Sequence, residues 1–116
     1  MDGILGNGAR APEAEGEKIL ATDEIVWRRV AVNDLEGIRR YIAQENPAAG
    51  ARIRAMIRTA VEQLVNHPNL GRSGRVDGTR ELVVAGTSYI VVYRVLENRL
   101  RILSVIHGAR KWPEHF

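Results

Sequence analysis

Residues 80–112 contain three successive segments in which β-branched and aromatic side chains predominate. Turn-forming sequences separate them at residues 86–88 (Gly-Thr-Ser) and 97–99 (Glu-Asn-Arg), so the region predicts three antiparallel strands in sequential order, a β-meander. Because side chains alternate between faces, one face is predicted to be apolar, and the other carries cationic groups at Arg94, Arg101 and His107. A sheet with one covered face and one cationic face suits a polyanion or an acidic peptide.

Two helices are predicted ahead of the meander. A short first strand over residues 25–31 is followed by Asn33, which fits a helix N-cap because Glu36 lies three residues later. Asn46 and Pro47 end this helix and begin another, whose apolar residues recur at intervals of three and four from residue 48 to about residue 66. The predicted fold class is α+β, with an antiparallel helix hairpin on one face of a four-stranded, mainly antiparallel sheet, in the order β-α-α-β-β-β.

Residues 1–24 form a flexible acidic leader in this prediction, ahead of a single domain over residues 25–116. The leader holds six acidic and two basic residues, a net charge of −4. Because the whole chain has a net charge of +3, the domain carries +7. Fifteen of the seventeen basic residues are arginine, which suits phosphate and carboxylate partners. The leader is either an acidic arm that folds back on the basic domain, or an unstructured extension or a start codon assigned too far upstream.

Several classes of protein are excluded by composition. The chain has no cysteine, which excludes a disulfide scaffold, a thiolate metal site and a cysteine nucleophile, and is compatible with a reducing cytoplasm. No apolar run approaches the ~18–20 residues of a membrane helix, and no signal peptide is recognisable. We therefore expect a cytoplasmic protein with no membrane partner, no metal and no cofactor.

The segment at residues 69–79 predicts a long glycine-rich loop that carries Arg72 and Arg75. Such a loop could contact phosphate, but it lacks the GxxxxGK[ST] order of a P-loop, so nucleotide binding is not expected. Loops of this length in a compact domain often have a function.

The order strand, helix hairpin, glycine and arginine loop, and meander resembles the RelE/ParE superfamily of toxins from type II toxin-antitoxin systems. The resemblance covers residues 25–116 and rests on four segments: NPAAGARI, HPNLGRSGRVDGTREL, YIVVYRV and ILSVIHGARKWP. The stretch GRVDGTRELVVAGTSYIVVYRV is more similar to the ParE branch, whose members poison DNA gyrase, than to the RelE branch of ribosome-dependent mRNA endoribonucleases. A third alternative is an inactive member that only binds antitoxin and co-represses its promoter.

For a RelE-like nuclease, the resemblance implies catalytic roles for Arg80 and His107. Cleavage at a 2′-hydroxyl requires a base, an acid and cationic stabilisation of the phosphorane, to which Arg94 could contribute. The chain departs from the nuclease pattern, because it has no counterpart of the RelE lysine pair and because Gly108 follows His107. Instead of catalytic roles, Arg80 could have a structural role in an ion pair, and His107 in a hydrogen bond at a strand end. These departures and structural roles favour a protein that is not an enzyme.

The resemblance also implies a cognate antitoxin, whose acidic amphipathic C-terminal segment wraps the basic domain, and a heterotetramer of the two proteins would be consistent with the family. Such a segment would place apolar side chains on the sheet or in a helix groove and carboxylates on arginines. The residues predicted to bind the target or the antitoxin are Arg72, Arg75, Arg94, Arg101, Arg110, Lys111 and Trp112.

Overall fold

A computed structural model describes residues 24–97, 99–109, 112, 113 and 116. Apart from Glu24, the predicted acidic leader lies outside the described residues, as do Arg110 and Lys111. The elements are β1 (Glu24–Trp27), α1 (Arg29–Ala43), α2 (Pro47–Gln63), β2 (Arg72–Ser73), β3 (Arg80–Val83), β4 (Tyr89–Leu96) and β5 (Arg99–His107). No helix in the described part of the chain is long and apolar enough to cross a membrane.

The sheet has the order β1-β5-β4-β3-β2. The predicted meander is confirmed, because β3, β4 and β5 pair antiparallel in succession, and β1 adds to β5 in parallel. The α+β fold class is also confirmed, with α1 and α2 packed together on one face. The sheet has five strands instead of four, because two residues of the predicted loop pair with the start of β3.

The helix hairpin begins earlier than predicted. The Arg28 amide donates to the Ile102 carbonyl at the end of β1, and Arg28 then occupies the N-cap position of α1 without a side-chain cap. The predicted cap at Asn33 is therefore wrong, because Asn33 lies inside the helix. The predicted start of α2 is confirmed, since the Asn46 side chain accepts a hydrogen bond from the Ala49 amide at 3.1 Å.

Asp34 on α1 joins the helix layer to the sheet at an irregularity in β5. The register between β4 and β5 shifts between Val92 and Tyr93, so that Leu103 has no direct partner. The Asp34 carboxylate accepts hydrogen bonds beside this bulge from the Ser104 hydroxyl at 2.6 Å and the Val105 amide at 2.9 Å. A bulge disrupts the local ladder, and Asp34 provides an acceptor where strand pairing is interrupted.

Tyr93 lies at the centre of the core and also holds the connection that follows α2. Its side chain is fully buried, and its hydroxyl donates to the Pro68 carbonyl at 2.8 Å and accepts from the Gly71 amide at 2.9 Å. Gly71 approaches so closely that an added Cβ would lie 2.8 Å from the tyrosine ring. The hydrogen bonds and the close approach together fix residues 68–71 against the sheet. This segment leads into β2 and then to Arg75.

Candidate functional site

A buried carboxylate on β3 organises the two arginines of the glycine-rich loop. The Glu81 side chain is only 3% exposed and accepts hydrogen bonds from the Arg72 guanidinium at 3.0 Å and the Arg75 amide at 2.8 Å. The Arg75 guanidinium lies 3.4 Å from the same carboxylate. Burial alone would raise the pKa of Glu81, but these hydrogen bonds and the two positive charges outweigh it and hold the pKa below its ordinary value.

The C-terminal tail meets this cluster through an aromatic contact. The Arg75 guanidinium lies over the Trp112 ring, 3.6 Å from its centroid, so Arg75 is placed between the Glu81 carboxylate and the indole. The Trp112 indole nitrogen is buried and has no hydrogen-bond partner among the described residues. We call this arrangement the Arg75-Trp112 stack. It brings together three residues, Arg72, Arg75 and Trp112, that were predicted as binding residues from separate parts of the sequence.

The Glu81 cluster is expected to make the stability of the protein depend on pH in the acid range. Because the folded-state pKa of Glu81 lies below the ordinary value of 4.5, its contribution to stability is present above pH 4.5 and is lost as pH falls through the folded-state value. We expect Glu81→Gln to cost about 1.5–3 kcal/mol at neutral pH, as for hydrogen bonds to charged groups, and to flatten the decline in stability below pH 4.5. Urea unfolding across pH measures both effects.

Glu36→Gln is the matched control, because Glu36 also pairs with two arginines, Arg39 and Arg54, but its side chain is 32% exposed. Exposed pairs are screened by water, so the control should change stability less. An unchanged pH dependence in Glu81→Gln, together with a large change in Glu36→Gln, would show that the cluster does not stabilise the fold in this way.

The structure separates the two residues considered for catalysis, Arg80 and His107. Arg80 pairs with Tyr93 and His107 with Tyr89, so they lie two strands and four residues apart. Strand geometry then puts their Cα atoms about 16 Å apart. The Arg80 guanidinium donates to the Gly71 carbonyl at 2.7 Å, and the His107 Nδ1 atom accepts from the Ala109 amide at 3.1 Å. Both side chains thus make local structural contacts.

Arg94 and Arg101 lie directly opposite each other on β4 and β5. Their neighbours Tyr93 and Ile102 belong to the core under the helices, so the two arginines point to the face that neither α1 nor α2 covers, which we call the helix-free face. Arg94 contacts the Asp77 carbonyl at 3.4 Å, whereas Arg101 is exposed. Glu81, which holds Arg75, is opposite Val92, so it faces the same side of the sheet as Arg94, two residues further along β4.

An open groove of about 530 Å³ runs between α2 and the outer side of β3. We call it the α2-β3 groove. Its walls are mainly apolar, and Arg72 and Glu81 lie among the lining residues. Leu70 on its wall is 52% exposed. An exposed apolar concavity of this kind, bordered by a cation, is typical of a site for a partner segment.

The outer edge of β3 beside this groove is available for backbone pairing. The two residues of β2 pair with Arg80 and Glu81, so among the residues that the structure describes, Val83 has no strand partner on that side. The Val84 amide donates to the Tyr89 carbonyl in β4. Because backbone groups alternate in direction along a strand, the Val83 amide and carbonyl point outward, toward the groove. An extended peptide could therefore pair with this edge.

Sequence reasoning missed Glu81 and Tyr93 as organising residues. It identified Arg72 and Arg75 by their charge and loop position, but not the carboxylate that binds both. The available signal was a single acidic residue within a β-rich segment, six residues after Arg75. For Tyr93, alternation predicted a core position but gave no partner for the hydroxyl, because the residues that it binds lie more than twenty positions away in the sequence.

Comparison with known proteins gives consistent matches over the domain. The family model described as "ParE toxin of type II toxin-antitoxin system, parDE" matches residues 25–112. The chain is 40% identical over 95 residues to "Putative toxin Y4kP" of Sinorhizobium fredii, covering 82% of this chain and 98% of that protein. It is 36% identical over 87 residues to "Toxin RelE2" of Caulobacter vibrioides, covering 75% of this chain and 97% of that protein.

A solved structure described as "Chromosomal ParDE TA system from P. aeruginosa" contains a similar fold. The TM-score is 0.67 at 25% sequence identity, and the match covers 72% of this chain and 94% of the other.

Proposed function

The chain belongs to the ParE toxin family of type II toxin-antitoxin systems, and from this membership we propose that it inhibits DNA gyrase by binding to it. The family implies a cognate antitoxin as the partner of the toxin. The observation that supports gyrase over mRNA is that the Cα atoms of Arg80 and His107 lie about 16 Å apart by strand geometry, with the Arg80 guanidinium on the Gly71 carbonyl and the His107 Nδ1 atom on the Ala109 amide. Acid-base cleavage of one phosphodiester requires both groups within hydrogen-bond reach of the reacting atoms.

The Arg75-Trp112 stack is the proposed gyrase-binding surface. Aromatic and arginine side chains dominate binding energy at protein interfaces, and here Glu81 pre-orders the arginine of the stack. The indole nitrogen is buried and has no partner among the described residues, and the indole ring stacks on the Arg75 guanidinium. Gyrase binding thus rests on side chains that are already held in place.

We expect Trp112→Ala to weaken gyrase inhibition at least about tenfold, which corresponds to the loss of about 1.4 kcal/mol. Supercoiling assays with a titration of purified, antitoxin-free protein measure the effect. Tyr41→Ala is the matched control, since Tyr41 is an exposed aromatic residue on α1, 72% accessible and outside the proposed surface. Full inhibition by Trp112→Ala, or an equal loss in Tyr41→Ala, would contradict this assignment of the surface.

The α2-β3 groove is the proposed antitoxin site. An extended antitoxin segment would pair with the outward backbone groups of Val83, insert apolar side chains beside Leu70, and place a carboxylate near Arg72. The positive charge of the domain favours an acidic segment at this position. The antitoxin would then lie on one side of Glu81, and the Arg75-Trp112 stack lies on the other.

We expect Leu70→Glu to weaken antitoxin binding about tenfold or more, because the new charge repels an acidic segment and is poorly solvated in the occupied groove. Calorimetric titration with the purified antitoxin measures the affinity. Tyr41→Glu introduces the same charge at an exposed apolar position on α1, away from the groove, and should bind as the wild type does. Equal affinity of the two variants would place the antitoxin elsewhere.

A further inference from the structure

The Arg94-Arg101 pair has an electrostatic feature that the proposed gyrase and antitoxin surfaces do not use. Two like charges directly opposite on neighbouring strands repel each other and destabilise the pairing. The ion pairs among the described residues involve other arginines, namely Arg39, Arg54, Arg72, Arg75 and Arg99. Within that part of the chain, no carboxylate lies within 4 Å of either guanidinium. An anionic ligand would relieve this repulsion.

We propose that the acidic segment of residues 13–17 of the same chain binds the Arg94-Arg101 pair intramolecularly. Five residues of this segment read Glu-Ala-Glu-Gly-Glu, so three carboxylates occur at alternate positions. Alternate residues of an extended chain share one side, which would direct these carboxylates to a common surface. Charge complementarity thus connects the most acidic short stretch of residues 1–24 with two arginines that have no acidic partner among the described residues.

The point at which this segment joins the domain permits the contact. Glu24 pairs with Arg99 in parallel register, and Val26 pairs with Arg101, so the chain enters the sheet on the strand next to Arg101. Strand geometry places the Cα atom of Glu24 about 8 Å from that of Arg101 and about 12 Å from that of Arg94. Residues 13–17 precede Glu24 by seven to eleven positions, a span of at most about 23–36 Å when extended. The chain between Glu24 and this segment is therefore more than long enough for the segment to reach both arginines.

The consequence is a competition at the helix-free face. While the segment is bound, an acidic partner that approaches Arg94 and Arg101 must displace a tethered competitor whose effective concentration is high. Residues 1–24 lie outside the match to the family model, so membership of the family does not imply this contact. The inference goes beyond the proposed function and does not depend on gyrase as the target.

Paramagnetic relaxation enhancement in the full-length chain tests the contact. Because the chain has no cysteine, Ala14→Cys provides a unique site for a nitroxide label within the acidic segment. We expect loss of amide signal intensity at Arg94, Val95 and Arg101, and little loss at Arg58 on the exposed side of α2. The effect should disappear in high salt, where charges are screened, and when E13Q, E15Q and E17Q are combined with the label.

Three results would overturn the proposal. Uniform or absent signal loss would mean that the segment does not prefer this face, and loss centred on the α2-β3 groove would assign it to another surface. The third result concerns whether the contact is within one chain. Nitroxide-labelled protein without ¹⁵N is mixed with ¹⁵N protein that carries no nitroxide, and signal loss at Arg94 and Arg101 would then show that the segment binds a second copy. None of these results bears on gyrase inhibition, so the two proposals fail separately.

Discussion

Replacement of Tyr93 by alanine is expected to destabilise the protein by about 3–5 kcal/mol from the cavity alone, as for other large aromatic residues in cores. The ring is fully buried among residues from both layers, and the hydroxyl holds Pro68 and Gly71. Since domains of this size have a total stability of about 5–15 kcal/mol, a large share of Tyr93→Ala molecules should be unfolded under mild conditions. Urea unfolding followed by circular dichroism measures the loss.

Tyr93→Phe is the control that separates the ring from the hydroxyl. It keeps the packing but leaves the buried Gly71 amide without its acceptor, which should cost about 1–3 kcal/mol. If Tyr93→Phe were as unstable as Tyr93→Ala, the hydroxyl and not the ring would carry the contribution. If both variants were as stable as the wild type, Tyr93 would not have the central role that its burial indicates.

Gly50→Ala is expected to separate the two helices and to destabilise the domain by about 1–3 kcal/mol, the usual cost of overpacking. An added Cβ at Gly50 would lie 2.7 Å from the Arg39 carbonyl oxygen and 3.0 Å from the Ala43 Cβ atom. The first of these is a backbone atom of α1, so the strain is relieved only if the helix moves. Thermal unfolding measures the change.

Gly37→Ala is a control that is expected to change stability in the opposite direction. Gly37 also lies within a helix, but among the described residues no atom beyond its neighbours and the backbone of its own helix turn lies within 4 Å of the position that its Cβ would occupy. Alanine should therefore stabilise α1 by about 0.5–1 kcal/mol through its higher helix propensity. Stabilisation by both substitutions would show that the contact between α1 and α2 at Gly50 is loose. Destabilisation by both would show that Gly37 is needed for a reason other than packing.

The meander and the start of α2 could be predicted because their signals are local. Alternation and turn composition predicted β3 to β5, and Asn46 with Pro47 predicted where α2 begins. The start of α1 was missed because it depends on a contact distant in sequence, the hydrogen bond from the Arg28 amide to Ile102, which ends β1 early. The cap-like residues at 33–36 lie inside the helix, and Asp34 among them binds the bulge in β5.

The candidate site was predicted less completely than the fold. Charge and loop position identified Arg72, Arg75 and Trp112, but only the three-dimensional arrangement shows that Glu81 holds both arginines and that Trp112 stacks on one of them. Arg80 and His107 are the reverse case, because the resemblance assigned them to one hypothetical active site but they lie apart in the sheet. Arg80 begins β3 and His107 ends β5, and in an antiparallel meander these two positions lie at opposite ends of the strands, so the predicted topology already implied their separation.

Gyrase inhibition is tested most directly with purified, antitoxin-free wild-type protein in two parallel assays. One measures DNA supercoiling by gyrase and scores trapped cleavage complexes, and the other measures mRNA cleavage on programmed ribosomes. Loss of supercoiling with intact mRNA is the predicted result. Codon-phased mRNA cleavage with unaffected gyrase would contradict the proposal and make Arg80 and His107 the first residues to mutate. If neither target were affected, the chain would instead be an inactive member that binds only its antitoxin.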